Sequence, residues 1–165
     1  MNDLLHNLIE ALREELKQYG EMLAVLEQQQ QSVVQRQTNA LLQNVADINA
    51  QANVIQAVRH EREQHRRHVA RQLGVEENAS FAMIIPLLPP DYQPLVQALV
   101  HENNALLLRI QQRARQNQLL LSHAVELMQQ FINSIVPGGN PKTYDNTGRL
   151  PVSNLPQRSI YEQVG

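Results

Sequence analysis

Residues 91–136 carry a single apolar stripe too long for any element except an extended helix. At helical spacing its inward positions are Val96, Leu99, Asn103, Leu106, Ile110, Arg113 or Ala114, Asn117, Leu120 or Leu121, Ala124, Met128, Phe131 and Ile135. Steps of three and four residues belong to a helix packed against other helices. Asn103 and Asn117 stand two heptads apart on that seam. An amide at a seam position weakens packing and fixes register, because a shifted partner leaves it unpaired.

Two more segments have the same character. The first helix is predicted over about residues 3–27, with Leu5, Leu8, Leu12, Leu16, Tyr19, Leu23 and Leu26 inward and Asp3 as its cap. Gly20 interrupts it, either to admit a close crossing or as tolerated slack. Residues 27–39 are polar and read as a connection that can stay partly helical. Thr38 or Asn39 then caps a helix over about 40–73, with Leu41, Val45, Ile48, Ala52, Ile55, Arg62, Val69 and Leu73 inward. Gly74 ends it in the left-handed conformation. Pro86, Pro89 and Pro90 limit residues 75–90 to a short turn around Ser80–Ile85, apolar enough to cover one end of a bundle. Asp91 caps the last helix and Pro94 falls in its first turn.

Three helices with one stripe each can hide those stripes only against one another. The expected fold is all-α: an elongated antiparallel three-helix bundle over 1–136, with a short apolar turn before the third helix. Aromatic residues make up only 4% of the chain and there is no Trp, which suits helix packing better than a sheet sandwich. Acidic residues crowd the first helix and Arg59, Arg62, Arg66, Arg67 and Arg71 crowd the end of the second, which favours an antiparallel pair. After Val136, residues 137–165 hold Pro137, Pro141, Pro151 and Pro156 and no period, but also Tyr144, Leu150, Val152, Leu155, Ile160 and Tyr161. That composition reads as a mobile tail with scattered anchors for a partner.

Chemistry is sparse. The chain has no cysteine, which removes disulfides and thiolates and fits a reducing compartment. No P-loop, dinucleotide fingerprint, nucleophile elbow or H-E-x-x-H motif occurs. No Glu has a His three residues later, which excludes the four-helix di-iron class. Glu61, His65 and His68, with His60 nearby, share a helical segment that could offer metal ligands, but five arginines crowd it. The expectation is therefore no enzyme, no cofactor and no metal. A net charge of −2 gives no general pull toward nucleic acid, and no run reaches the ~18 apolar residues of a membrane span. The first residues lack the basic start and unbroken apolar core of a signal peptide. A cytoplasmic protein is expected.

The remaining reading is a protein that works by surface. LeuLeuLeu recurs at 106–108 and 119–121, and Leu127, Met128, Phe131, Ile132 and Ile135 wrap more than one face. An apolar groove of this kind captures another protein's amphipathic helix. A self-associating coiled-coil adaptor is an alternative. A nucleic-acid-binding regulator acting through the arginine segment is another.

Several stretches, taken in order, resemble the FlgN-like flagellar export chaperones. They are the Leu-rich first helix ending at Glu27, ThrAsnAlaLeuLeu at 38–42, GluArg at 61–62 and LeuGly at 73–74. ArgGlnAsnGlnLeuLeuLeu at 115–121 and ThrTyrAspAsnThrGly at 143–148 follow. A Lys common in the middle of that family's second helix is replaced by AsnAlaGlnAla at 49–52, and no role is carried over for it. The resemblance implies a type III secretion-type chaperone that binds helical C-terminal segments of hook-associated (hook–filament junction) proteins. It would prevent their premature polymerisation and deliver them to the cytoplasmic domain of the export gate. It also implies a cargo surface at Asn117, Leu120, Leu127, Met128, Phe131, Ile132 and Ile135, and gate docking by Tyr144, Asp145 and Gly148.

Overall fold

The structure is a computed structural model and describes residues 1–135. The long helices are α1 (Asn2–Val34), α2 (Thr38–Gln72) and α4 (Gln93–Ile135). Between the last two lie a one-turn helix, α3 (Phe81–Ile84), and a 3-10 turn over Ile85–Leu87. The described residues contain no strand. The antiparallel helical bundle expected from the stripes is the fold adopted.

Helix α1 continues to Val34 because its polar Gln run costs little in a helix and Gln29 and Ser32 face inward. The break is therefore only three residues wide. At its start the Gln37 amide reaches Ser32 O at 2.9 Å and the Arg36 amide reaches Val33 O at 3.2 Å. This is a Schellman closure, with Arg36 at φ 55° where glycine is usual. The same closure ends α2: Val75 donates to Ala70 O and Gly74 to Arg71 O, both at 3.1 Å, with Gly74 at φ 72°. The side-chain caps expected for α1 and α2 are absent. Met1 and Gln37 occupy the cap positions of α1 and α2, and Asp3 acts only as a charge in the first turn.

Helix α1 is the centre. It packs along its length against both α2 and α4, whereas those two scarcely approach each other. Its inward face is the best buried among the described residues: Leu5, Leu8, Ile9, Leu12, Tyr19, Met22, Leu23 and Leu26. Leu16, expected inward, is half-buried. At the end formed by the start of α1, the finish of α2 and the start of α4, the core is sealed by Ala79, Phe81, Ile84 and Leu88. The apolar turn covers that end as its composition predicts. Arg66 donates to Ala79 O, and Arg62 lies over the Phe81 ring at 5.7 Å.

The acidic start of α1 meets the basic finish of α2 in a deeper way than surface pairing. Glu15 is fully buried and accepts from Tyr19 Oη at 2.8 Å. Its second oxygen faces Arg62 Nε at 3.2 Å, off the hydrogen-bonding axis, so the two are ion-paired without a formed bond. Burial raises the Tyr19 phenol, and the Glu15 charge adds to that. Arg66 and Arg67 both bind Glu63, and the Arg66 bond holds that carboxyl below its ordinary value. Arg71 binds Glu77 at 2.6 Å.

Candidate functional site

Two bonds set the register of α4. Asn103 Nδ2 donates to Leu12 O at 3.0 Å, and Asn117 Nδ2 donates to Leu26 O at 2.7 Å. Both span 91 residues, so α1 and α4 run parallel in a register held over two heptads. Asn117 also reaches Gln29 Oε1 at 3.0 Å. On the other flank Asn44 donates to Ser32 Oγ at 2.7 Å, which sets the first turns of α2 beside the last turn of α1.

The same offset carried forward places Val125 level with Val34, where α1 ends. Residues 126–135 then extend past the bundle by about 15 Å at the rise of an α-helix. This overhang holds Leu127, Met128, Phe131, Ile132 and Ile135, which are 48%, 60%, 60%, 49% and 59% exposed. At roughly 100° per residue they share one face about 140° wide, in line with Ile110 and Asn117 below. Glu126, Gln130 and Asn133 take the opposite face. The seam therefore continues beyond the helices that cover it.

The sequence assigned Ala124, Met128, Phe131 and Ile135 to inward positions. The phase is correct, but Met128, Phe131 and Ile135 lie past the end of α1, Ala124 is level with its last turn, and all four are exposed. Leu107 is buried and Leu106 half-buried, so the core-facing leucine is one residue later than expected. Five proposed cargo residues are brought together on the overhang. Leu120 sits lower and is half-buried, and Asn117 is 1% exposed, set inside the bundle as a register bond. Asn117 can shape the surface only from beneath. Tyr144, Asp145 and Gly148 lie outside the described residues.

The other sites weighed from sequence have different surroundings. The arginine segment is not a free cationic strip: Arg62 and Arg66 are buried, and Arg66, Arg67 and Arg71 are engaged by carboxylates. His65 lies 3.9 Å from Glu61 beside a shallow depression of about 460 Å³ lined also by Asn7, Glu10, Ala11, Glu14 and Val58. No group of three potential ligands among the described residues could hold a metal ion. No helix among them is long and apolar enough to cross a membrane.

What sequence reasoning missed is that Glu15 is buried with Tyr19 and Arg62, both of which fall on inward stripes. The signal was present, since Glu15 and Tyr19 are one turn apart and Tyr19 was placed inward. A charged residue beside an apolar stripe reads as surface unless its partner is known.

No curated protein and no solved structure matches the chain. The family description "FlgN protein" matches residues 1–151, which takes in every described helix and the first part of the segment beyond them. With nearly the whole chain matched, this protein belongs to the FlgN family of flagellar export chaperones.

Proposed function

We propose that this chain is a cytoplasmic escort for hook-associated proteins. It acts by binding rather than catalysis, holding their helical C-terminal segments against polymerisation until they are passed to the export gate. One observation carries the reading: α4 extends a continuous apolar face past the end of its own bundle, where nothing among the described residues covers it. A strip of this kind at helical spacing suits the apolar face of another helix. Met128 supplies a contact that adapts to more than one client.

The energy scale fits a complex that must later come apart. Full burial of one such side chain contributes ~1.5–3 kcal/mol, so covering the exposed half of these residues yields roughly 5 kcal/mol. Association itself costs about 4–15 kcal/mol. The overhang alone therefore no more than offsets the cost of association, and capture needs additional contact.

The test is calorimetric titration with the C-terminal segment of a hook-associated protein. Phe131→Ala with Ile132→Ala is expected to weaken binding by about tenfold or more, equivalent to ~1.4 kcal/mol. Helicity by circular dichroism should be unchanged, because both side chains are exposed. Unaltered affinity would remove the cargo assignment. Tyr144→Ala should keep cargo affinity and lower export in cells; normal secretion would remove the docking role. A tight dimer by light scattering, with no affinity for the segment, would favour the adaptor reading.

A further inference from the structure

We propose that the client helix also seats against the amino-terminal half of α2, so that α2 and the end of α4 form the two walls of one slot above α1. This rests on the reading of the overhang as the capture surface, and names the rest of that site and the chemistry of its occupant.

The argument begins with incomplete burial. Helix α2 carries one stripe from Leu41 to Val69, but its coverage fails on the amino-terminal side of Ile55. Ile55 and Val69 are 2% and 0% exposed, whereas Val45 is 36% exposed and Leu41, Ile48 and Ala52 are half-buried; Leu42, at the outer edge beside the stripe, is 68% exposed. The Asn44 bond to Ser32 puts these residues beside the last turns of α1. The 91-residue offset puts Leu120, Leu121 and Val125 at the same level on α4. Val125 is 58% exposed and both leucines are half-buried. Because α1 keeps α2 and α4 apart, two half-covered stripes flank the same stretch of α1. At the sealed end the corresponding need is met by Phe81 and Ile84 from a single turn of helix and by Leu88, just after the 3-10 turn that follows. Nothing among the described residues plays that part at the open end.

Its charge identifies the kind of occupant. Residues 38–58 of α2 include only Asp47 as a charged side chain, and residues 114–135 of α4 include only Arg115 and Glu126 besides His123. The sealed end, by contrast, holds Glu10, Glu14, Glu15, Glu61, Glu63 and a run of arginines. A charge-poor slot gives no compensation for burying charges. The matching partner is a weakly charged amphipathic helix with an apolar face and an amide- or hydroxyl-rich back, recruited without electrostatic steering.

The experiment uses the full chain and the same C-terminal segment of a hook-associated protein. Leu42→Lys with Val45→Lys should weaken binding by about tenfold or more with the helical spectrum intact, a change of one decade in Kd. Wild-type affinity should differ by less than about twofold between ~50 and ~500 mM salt, a range over which surface charge pairs are screened. A photo-crosslinker at position 42 should capture the segment, a readout independent of the folding of the lysine variant. Wild-type affinity in the α2 variant, alongside weakened binding in Phe131→Ala with Ile132→Ala, would overturn the second wall and leave the escort reading standing. Loss in neither variant would sink both. A steep salt dependence would overturn the charge-poor occupant. A dimer dissolved by the α2 variant would assign the slot to a second copy instead. Binding tightened by removal of residues 137–165 would assign it to the chain's own tail.

Discussion

Glu15 shows how one carboxylate can organise two helices. It is fully buried, takes a hydrogen bond from Tyr19 on its own helix and faces Arg62 on the next. Such a pair is a poor source of net stability, because desolvation offsets most of the attraction. It does penalise any alignment of α1 and α2 that separates the charges. Tyr19 makes the arrangement measurable. Its phenol is raised above the ordinary value of 10.0 by burial first and by the Glu15 charge second. A raised folded-state pKa gives a contribution fully present below the unfolded value and lost as pH climbs toward the folded one. Tyr19→Phe should cost about 1–2 kcal/mol near neutrality by leaving a buried carboxylate oxygen without its donor. Above pH 10 that deficit should shrink by about 1.4 kcal/mol per pH unit, because only the wild type carries the phenol. Urea unfolding of both proteins from pH 8 to 11 checks this; a constant gap would mean Tyr19 is not held neutral by the fold.

Glycine separates what a helix requires from what it tolerates. Gly20 lies inside α1 at an exposed position, and a methyl group there would meet nothing within 4 Å. It does not serve a close crossing. Gly74 also has open space but sits at φ 72°, where a side chain strains the backbone. The same substitution should therefore act with opposite sign. Gly20→Ala is expected to gain about 1 kcal/mol from helix propensity, and Gly74→Ala to lose about 1–2 kcal/mol from the left-handed conformation. Thermal unfolding of the two variants decides it, and a loss in both would mean Gly20 has a packing role. This pair also marks what could be read at the scale of an element. Gly74 was legible because the stripe stops beside it, and Asn103 and Asn117 were legible because their spacing repeats. The continuation of α1 through its glutamines was only partly so, since polar residues do not reveal whether they face water or, like Gln29, a neighbouring amide. The open end of α2 was not legible at all. Its stripe looks the same where it is covered and where it is bare, and the difference depends on where α4 runs.

At the scale of the molecule the decisive quantity is a mismatch of length. Helix α4 has 43 residues and α1 has 33, and the two asparagine bonds fix their offset so that the surplus emerges at one end. A sequence shows the surplus but not the offset, because the offset is set by cross-helix bonds and by how residues 73–92 fold over the sealed end. If the surplus belonged to the bundle, its apolar residues would contribute to stability as core residues do. Converting Leu127, Met128, Phe131 and Ile132 together to Gln should instead shift unfolding free energy by less than about 0.5 kcal/mol per position, the scale of surface substitutions. Ile110→Ala, on the same face of the same helix but 2% exposed, should cost about 2–5 kcal/mol. Guanidinium unfolding of the two variants under one set of conditions makes the comparison. A large loss in the overhang variant would show that those side chains pack within the protein's own fold, and the face assigned to a client would have no room for one.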